Sequence, residues 1–145
     1  WELWQREYRE DFKLYPSLHR KCFEAFNSQW RTISRLQKHV MDSLRAMGLE
    51  PREEVSTQLG YSVDAMVTWR GHEVAVEVDG PHHFLGYQPT GATMLKRRQL
   101  RKLTNLPLLS IPYFEWNGHG SMQARIYYLR QRLDAVLEMR ADSQR

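Results

Sequence analysis

The chain has a single cysteine, Cys22, in 145 residues, which excludes an internal disulfide framework and any cysteine-based zinc site. Cys22 stands with Leu18 and Phe26 at helical spacing, so it reads as a core thiol. No apolar run approaches the length of a membrane span, so no membrane contact is expected. Repeats and low-complexity segments are missing too, and the N-terminus has no secretory signal pattern. Trp1-Glu2-Leu3-Trp4 reads as the start of a fragment, so targeting information is expected to lie outside it. What is present is the composition of a globular domain, 41% hydrophobic, 26% charged and 12% aromatic. The length suits one domain with a real core. A net charge of +4 and a pI near 9.4 favour an anionic partner, though only mildly.

Helical patterns come first along the chain. Trp1, Trp4, Tyr8 and Phe12 form one stripe, closed by Pro16, and are expected to serve packing. Leu18, Cys22, Phe26 and Trp30 form a second. Ile33, Leu36, Val40, Leu44 and Met47 form a third, stopped by Gly48 just past the helix end. A strand over 52–57 follows. After a Gly/Pro loop at 85–92, Thr93 is expected to cap a helix running to 104. Residues 106–114 read as a buried strand with prolines near its ends. A final helix carries Met122, Ile126, Leu129, Leu133 and Val136 on one face.

The most informative segment lies between the third helix and that loop. Residues 62–69 and 73–79 both alternate strictly, and only Arg70-Gly71 separates them, so a tight hairpin is expected. Pairing Trp69 with His72 sets Val67 opposite Val74, Ala65 opposite Val76 and Val63 opposite Val78. Asp64 then faces Glu77, with Asp79 on the same face, so three carboxylates share one patch. Like charges facing across a strand pair are destabilising unless compensated. A divalent cation with oxygen ligands, Mg²⁺ or Mn²⁺, is the simplest compensation, with Asp64, Glu77 and Asp79 as its ligands. Such an ion would polarise a phosphodiester and activate a water. Lys96 is then expected to orient that water and His83 to donate to the leaving oxygen. Alternatively, His82 and His83 simply hydrogen-bond the turn after Gly80-Pro81, and the acids are solvated or paired with Lys96.

A second constellation is the basic run Lys96, Arg97, Arg98, Arg101 and Lys102. Cations crowded into two helical turns repel, and a phosphate backbone relieves them, although a solvated face is the ordinary explanation. Phe84, Tyr87 and Trp116, together with Tyr113 and Phe114, lie in neighbouring loops or strand ends. Aromatics beside cations supply stacking and backbone tracking for single-stranded nucleic acid. Phe114 and Trp116 are equally readable as core.

Residues 73–132, through Glu77-Val-Asp-Gly-Pro-His-His-Phe84, Leu95-Lys-Arg-Arg98 and Ser110-Ile-Pro-Tyr-Phe-Glu-Trp116, resemble a RAP domain. This is an RNA-binding module at the C-terminal end of many apicomplexan, algal and plant organellar proteins and of FAST-kinase-related mitochondrial proteins. RAP domains in turn resemble the PD-(D/E)XK nucleases and their very-short-patch-repair-like members. The resemblance implies an α/β fold with a restriction-endonuclease-like mixed sheet flanked by helices, an α-β-β-β-α-β core, and extra N-terminal helices. Residues 1–31 would be a helical extension and 32–145 the RAP domain. Matched to the nuclease motif, Asp64 is the first aspartate and Glu77 the acid of the second strand. Asp79 stands where the lysine is usual, with Lys96 displaced onto the following helix, and Gln37 stands where a helical glutamate is frequent.

The implied function is RNA binding, with single-stranded RNA as partner, inside a larger helical-repeat polypeptide that processes or stabilises organellar RNA. The implied location is a mitochondrion or plastid. The alternative is an active metal-dependent endonuclease on RNA or single-stranded DNA. A third reading is a structural cap on a helical-repeat protein. Only the basic helix and the carboxylates separate it from the other two.

Overall fold

The computed structural model describes residues 15–18, 20–21, 34–57 and 59–143. The Trp1/Trp4/Tyr8/Phe12 stripe, most of the Leu18/Cys22/Phe26/Trp30 stripe, Ile33 and hence most of the expected extension 1–31 lie outside the described residues. Leu18 itself is exposed, in a short helical stretch that begins at Pro16.

Helix α1, Arg35–Ala46, starts where the Ser34 hydroxyl accepts the Gln37 N–H at 3.1 Å. It ends at Gly48, whose φ of +82° is the left-handed conformation expected there. Strands β1 (Arg52–Ser56), β2 (Ser62–Trp69) and β3 (His72–Asp79) follow as an antiparallel meander. A 3-10 turn, Pro81–His83, and a two-residue hairpin, β4 (Phe84–Leu85) with β5 (Gln88–Pro89), lead to helix α2, Gly91–Thr104. Helix α2 crosses over to β6, Leu108–Pro112, which pairs parallel to β3. A short helix α3, Tyr113–Trp116, and a long helix α4, Met122–Ser143, complete the chain. The four-stranded mixed sheet has the order β1-β2-β3-β6, so the expected α-β-β-β-α-β succession is present.

Helices cover both faces of the sheet. Val67, Val74, Val76, Val78, Leu109 and Ile111 pack against Val40, Met41 and Leu44 of α1 and against Leu129 and Leu133 of α4. On the other face Met66, Ala75 and Leu108 pack against Leu100 of α2. The β2–β3 turn is the expected one: Arg70 (φ +47°) and Gly71 (φ +80°) are both left-handed, the type I′ geometry that suits a right-twisted hairpin. Left-handed arginine is unfavourable alone. Here Arg70 lies over the Trp69 ring and pairs with Asp134 of α4 at 2.8 Å. Asp134 also accepts the Trp69 indole N–H at 2.7 Å.

The register holds from Trp69↔His72 through Val67↔Val74 to Ala65↔Val76 and is not continued beyond. The Val63/Val78 and Asp64/Glu77 pairings expected from strict alternation are therefore replaced. Val63 packs with the α2-side cluster and Ala65 and Val78 with the other, so the alternation of β2 breaks at Asp64, beside the left-handed Glu54 (φ +52°). Asp64 takes over the interrupted ladder, its carboxylate accepting the Val78 N–H at 2.7 Å. Two element ends also differ. Thr90, not Thr93, caps α2, its hydroxyl accepting the Thr93 N–H. The buried strand stops at Pro112, and residues 113–116 coil into α3.

Candidate functional site

Strand alternation sends Glu77 and Asp79 of β3 towards α2, and the parallel neighbour β6 brings Ser110 beside them. Glu77 is 5% exposed and Asp79 2%, so both carboxylates need partners. Successive residues of α2 supply them. The Lys96 ammonium sits 2.7 and 2.8 Å from the two Glu77 carboxylate oxygens. One guanidinium nitrogen of Arg97 donates to Asp79 at 2.7 Å and to the Ser110 hydroxyl at 2.6 Å. Ser110 in turn donates to the same Asp79 oxygen at 2.6 Å. His83 lies with Nδ1 3.2 Å from the Thr93 hydroxyl and 3.9 Å from Asp79. The neighbouring His82 ring is 4.0 Å away, centroid to centroid.

The electrostatics follow from burial. Glu77 is pushed up to about 7, chiefly by desolvation; Lys96 opposes the rise, and the charges of Asp64 and Asp79 add to it. Asp64 is raised as well, again by burial first, against the Val78 N–H and Lys96. Burial holds His83 below the ordinary histidine value; Asp79 counters this, whereas His82, Lys96 and Arg97 reinforce it. The three acids thus sense one another, and with Lys96 and Arg97 they form one charge network. Glu54 belongs to its edge: its charge raises Asp64, and its carboxylate accepts the Gln37 side-chain N–H at 2.7 Å.

For a divalent ion, this arrangement is a poor fit. Asp64 is engaged by a backbone N–H, Glu77 by Lys96, and Asp79 by Arg97 and Ser110. Among the described residues, no group of three or more His, Cys, Asp or Glu side chains is arranged to hold a metal. Lys96 and Arg97 supply the positive charge expected of the cation.

The rest of the basic run faces outward. Arg98, Arg101 and Lys102 are exposed and, with Arg97 and Met94, line an open concavity of about 510 Å³. Arg97 serves both sides, its guanidinium turned in towards Asp79. Arg101 is depressed below the usual arginine value by partial burial and by the charge of Arg97. Of the aromatics expected to stack on bases, Tyr87 is 74% exposed and meets Phe114 edge-on at 5.1 Å. Phe84 is buried between Tyr113 and Phe114, and Trp116, 1% exposed, is core. The helical turn after Pro112 brings Trp116 into the main core, where a continued strand would have left it at a strand end.

Sequence reasoning missed Ser110 and Glu54. Ser110 sits in an apolar strand where a hydroxyl is the one polar group, and that was the available signal. Glu54 had none, because its role depends on a local backbone distortion. Glu77, Asp79, Lys96, Arg97 and Ser110 all fall within one continuous stretch running from β3 into α4. It is this stretch, residues 76–132, that matches the family model of the RAP domain.

Proposed function

We propose that the chain binds single-stranded RNA through the outer face of α2, as part of a larger organellar RNA-processing or RNA-stability factor. The carrying observation is the concavity lined by Arg97, Arg98, Arg101 and Lys102. A sugar–phosphate backbone laid there meets several guanidinium and ammonium groups from one rigid helix. The RAP domain match supports RNA as the ligand, and exposed Tyr87 offers a stacking surface. The test is a binding isotherm for labelled single-stranded RNA at several salt concentrations. Replacing Arg98, Arg101 and Lys102 with Glu should weaken binding steeply. It should also flatten the log–log salt slope by about 0.7 for each phosphate no longer neutralised. Arg97 is left in place because it holds Asp79. Unchanged affinity and slope would reduce the face to solvated surface.

A second reading, metal-dependent cleavage of RNA or single-stranded DNA, rests on the gathering of Asp64, Glu77 and Asp79 beside Lys96. It requires the ion pairs to open for Mg²⁺ or Mn²⁺. In that case millimolar Mn²⁺ raises the melting temperature by mass action. Asp64→Asn keeps an acceptor for the Val78 N–H, should be at least as stable as its parent, and should gain less from Mn²⁺. A melting temperature indifferent to Mn²⁺, with RNA intact in Mn²⁺ and in EDTA alike, leaves a binding scaffold.

A further inference from the structure

Away from the acidic network, a cavity of about 310 Å³ opens between the C-terminal ends of α2 and α4. This is at the lower end of the range for small-ligand sites. Its floor is apolar, formed by the buried Leu108 at the start of β6 and the half-buried Leu106 and Val136, with Met139 of α4, 66% exposed, towards solvent. Its polar lining is the exposed Arg101 and Asn105 of the α2 end and the half-buried Arg140 of α4. Asn105 closes α2 in the left-handed conformation, φ +53°, and is exposed. Its amide carries both donors and an acceptor, the complement of a nucleobase edge. Arg101 lines this cavity and also the cationic concavity on the outer face of α2. It is the hinge between a track for phosphates and an apolar slot.

We propose that this cavity receives one unstacked nucleotide of the bound RNA, its base on the apolar floor against Asn105 and its 5′-phosphate on Arg101. The inference rests on the RNA-binding reading and adds to it a place where a base is read. Charge complementarity selects this occupant: an apolar floor lined by two arginines, Arg101 and Arg140, suits a flat ring carrying an anion better than an aliphatic side chain. Sequence-specific recognition of single strands generally works on bases splayed out in this way.

The test begins with the whole chain, isotopically labelled, titrated with nucleoside 5′-monophosphates, with ribose 5-phosphate and with inorganic phosphate. Nucleotides should shift the backbone amides of Asn105, Leu106, Leu108 and residues 136–140. The base-free anions should bind at least about tenfold more weakly, as expected when no base engages the floor and the Asn105 amide. Equal shifts with inorganic phosphate, or shifts confined to the outer face of α2, would overturn the pocket. Asn105→Gly suits the left-handed backbone. It should lower nucleotide affinity by about tenfold, the value of a hydrogen-bonding edge, and level any preference among the four bases. With single-stranded RNA the same variant should bind a few-fold more weakly at an unchanged salt slope, because every cation that meets a phosphate is still in place. If RNA binds with its full slope while Asn105→Gly and free nucleotides give no response, the pocket falls and the RNA reading stands. If nucleotides occupy the cavity and RNA does not bind, the RNA reading falls and takes the RNA occupant proposed here with it, leaving a site for free nucleotides.

Discussion

Glu77 is a carboxyl whose burial outweighs the ammonium beside it. Its proton is held more tightly in the folded chain than in the unfolded one, about 7 against an ordinary 4.5. The stability this gives is fully present below the unfolded value and is lost as pH rises through the folded one. Between pH 4.5 and 7 the melting temperature should therefore fall as pH rises, and Asp64, also raised, acts in the same direction. The depressed His83 opposes it, because protonation at the acid end disfavours the fold. Glu77→Gln should flatten the profile; a parent profile that rises steadily across this window would contradict the burial argument. That Glu77 and Asp79 share a face was legible from alternation alone. Lys96 was legible as one answer to them, and it pairs with Glu77; that Arg97 also turns inward, onto Asp79, was not, because the cations next to Lys96 spread around the helix.

At the scale of elements, α2 is a helix with two distinct basic surfaces. Lys96 and Arg97 neutralise the sheet's acids, and Arg98, Arg101 and Lys102 face outward. Arg97→Ala should destabilise by about 3 kcal/mol or more, since it strips the charged partner from a buried carboxylate. Arg98→Ala should stay within about 0.5 kcal/mol, as surface changes do. Urea denaturation of the two variants checks both, and similar losses would mean the two surfaces are not distinct. The β2–β3 hairpin was readable because Gly71 permits the turn and the two valine faces fix the register. The ends of β6 and α2 were misread where two signals competed. Thr90 and Thr93 are both capping residues, and the rigid Pro112 serves a strand end and a helix start equally well.

At the scale of the molecule, the folding unit is wider than the family match. Residues 76–132 contain part of β3 but none of its antiparallel neighbour β2, and they omit α1 and Asp134, which holds the β2–β3 turn. A fragment limited to 76–132 should therefore lack cooperative unfolding in circular dichroism, whereas residues 34–143 should melt in one transition. A sharp transition in the shorter piece would show that α1 and β2 are dispensable. The mixed sheet and its helical layers were legible in outline from periodicity. The 310 Å³ cavity was not, because it arises where two helix ends meet at distant points of the chain. A different consequence follows from the sheet's two borders. Strand β6 ends at Pro112, which has no N–H to give, and its Ser110 carbonyl is already taken by Arg132 at 3.0 Å. On the far side, β1 is short, charged and bent at Glu54. Neither border offers a regular row of donors and acceptors to a foreign strand, so the sheet is guarded against growing by recruitment of other chains.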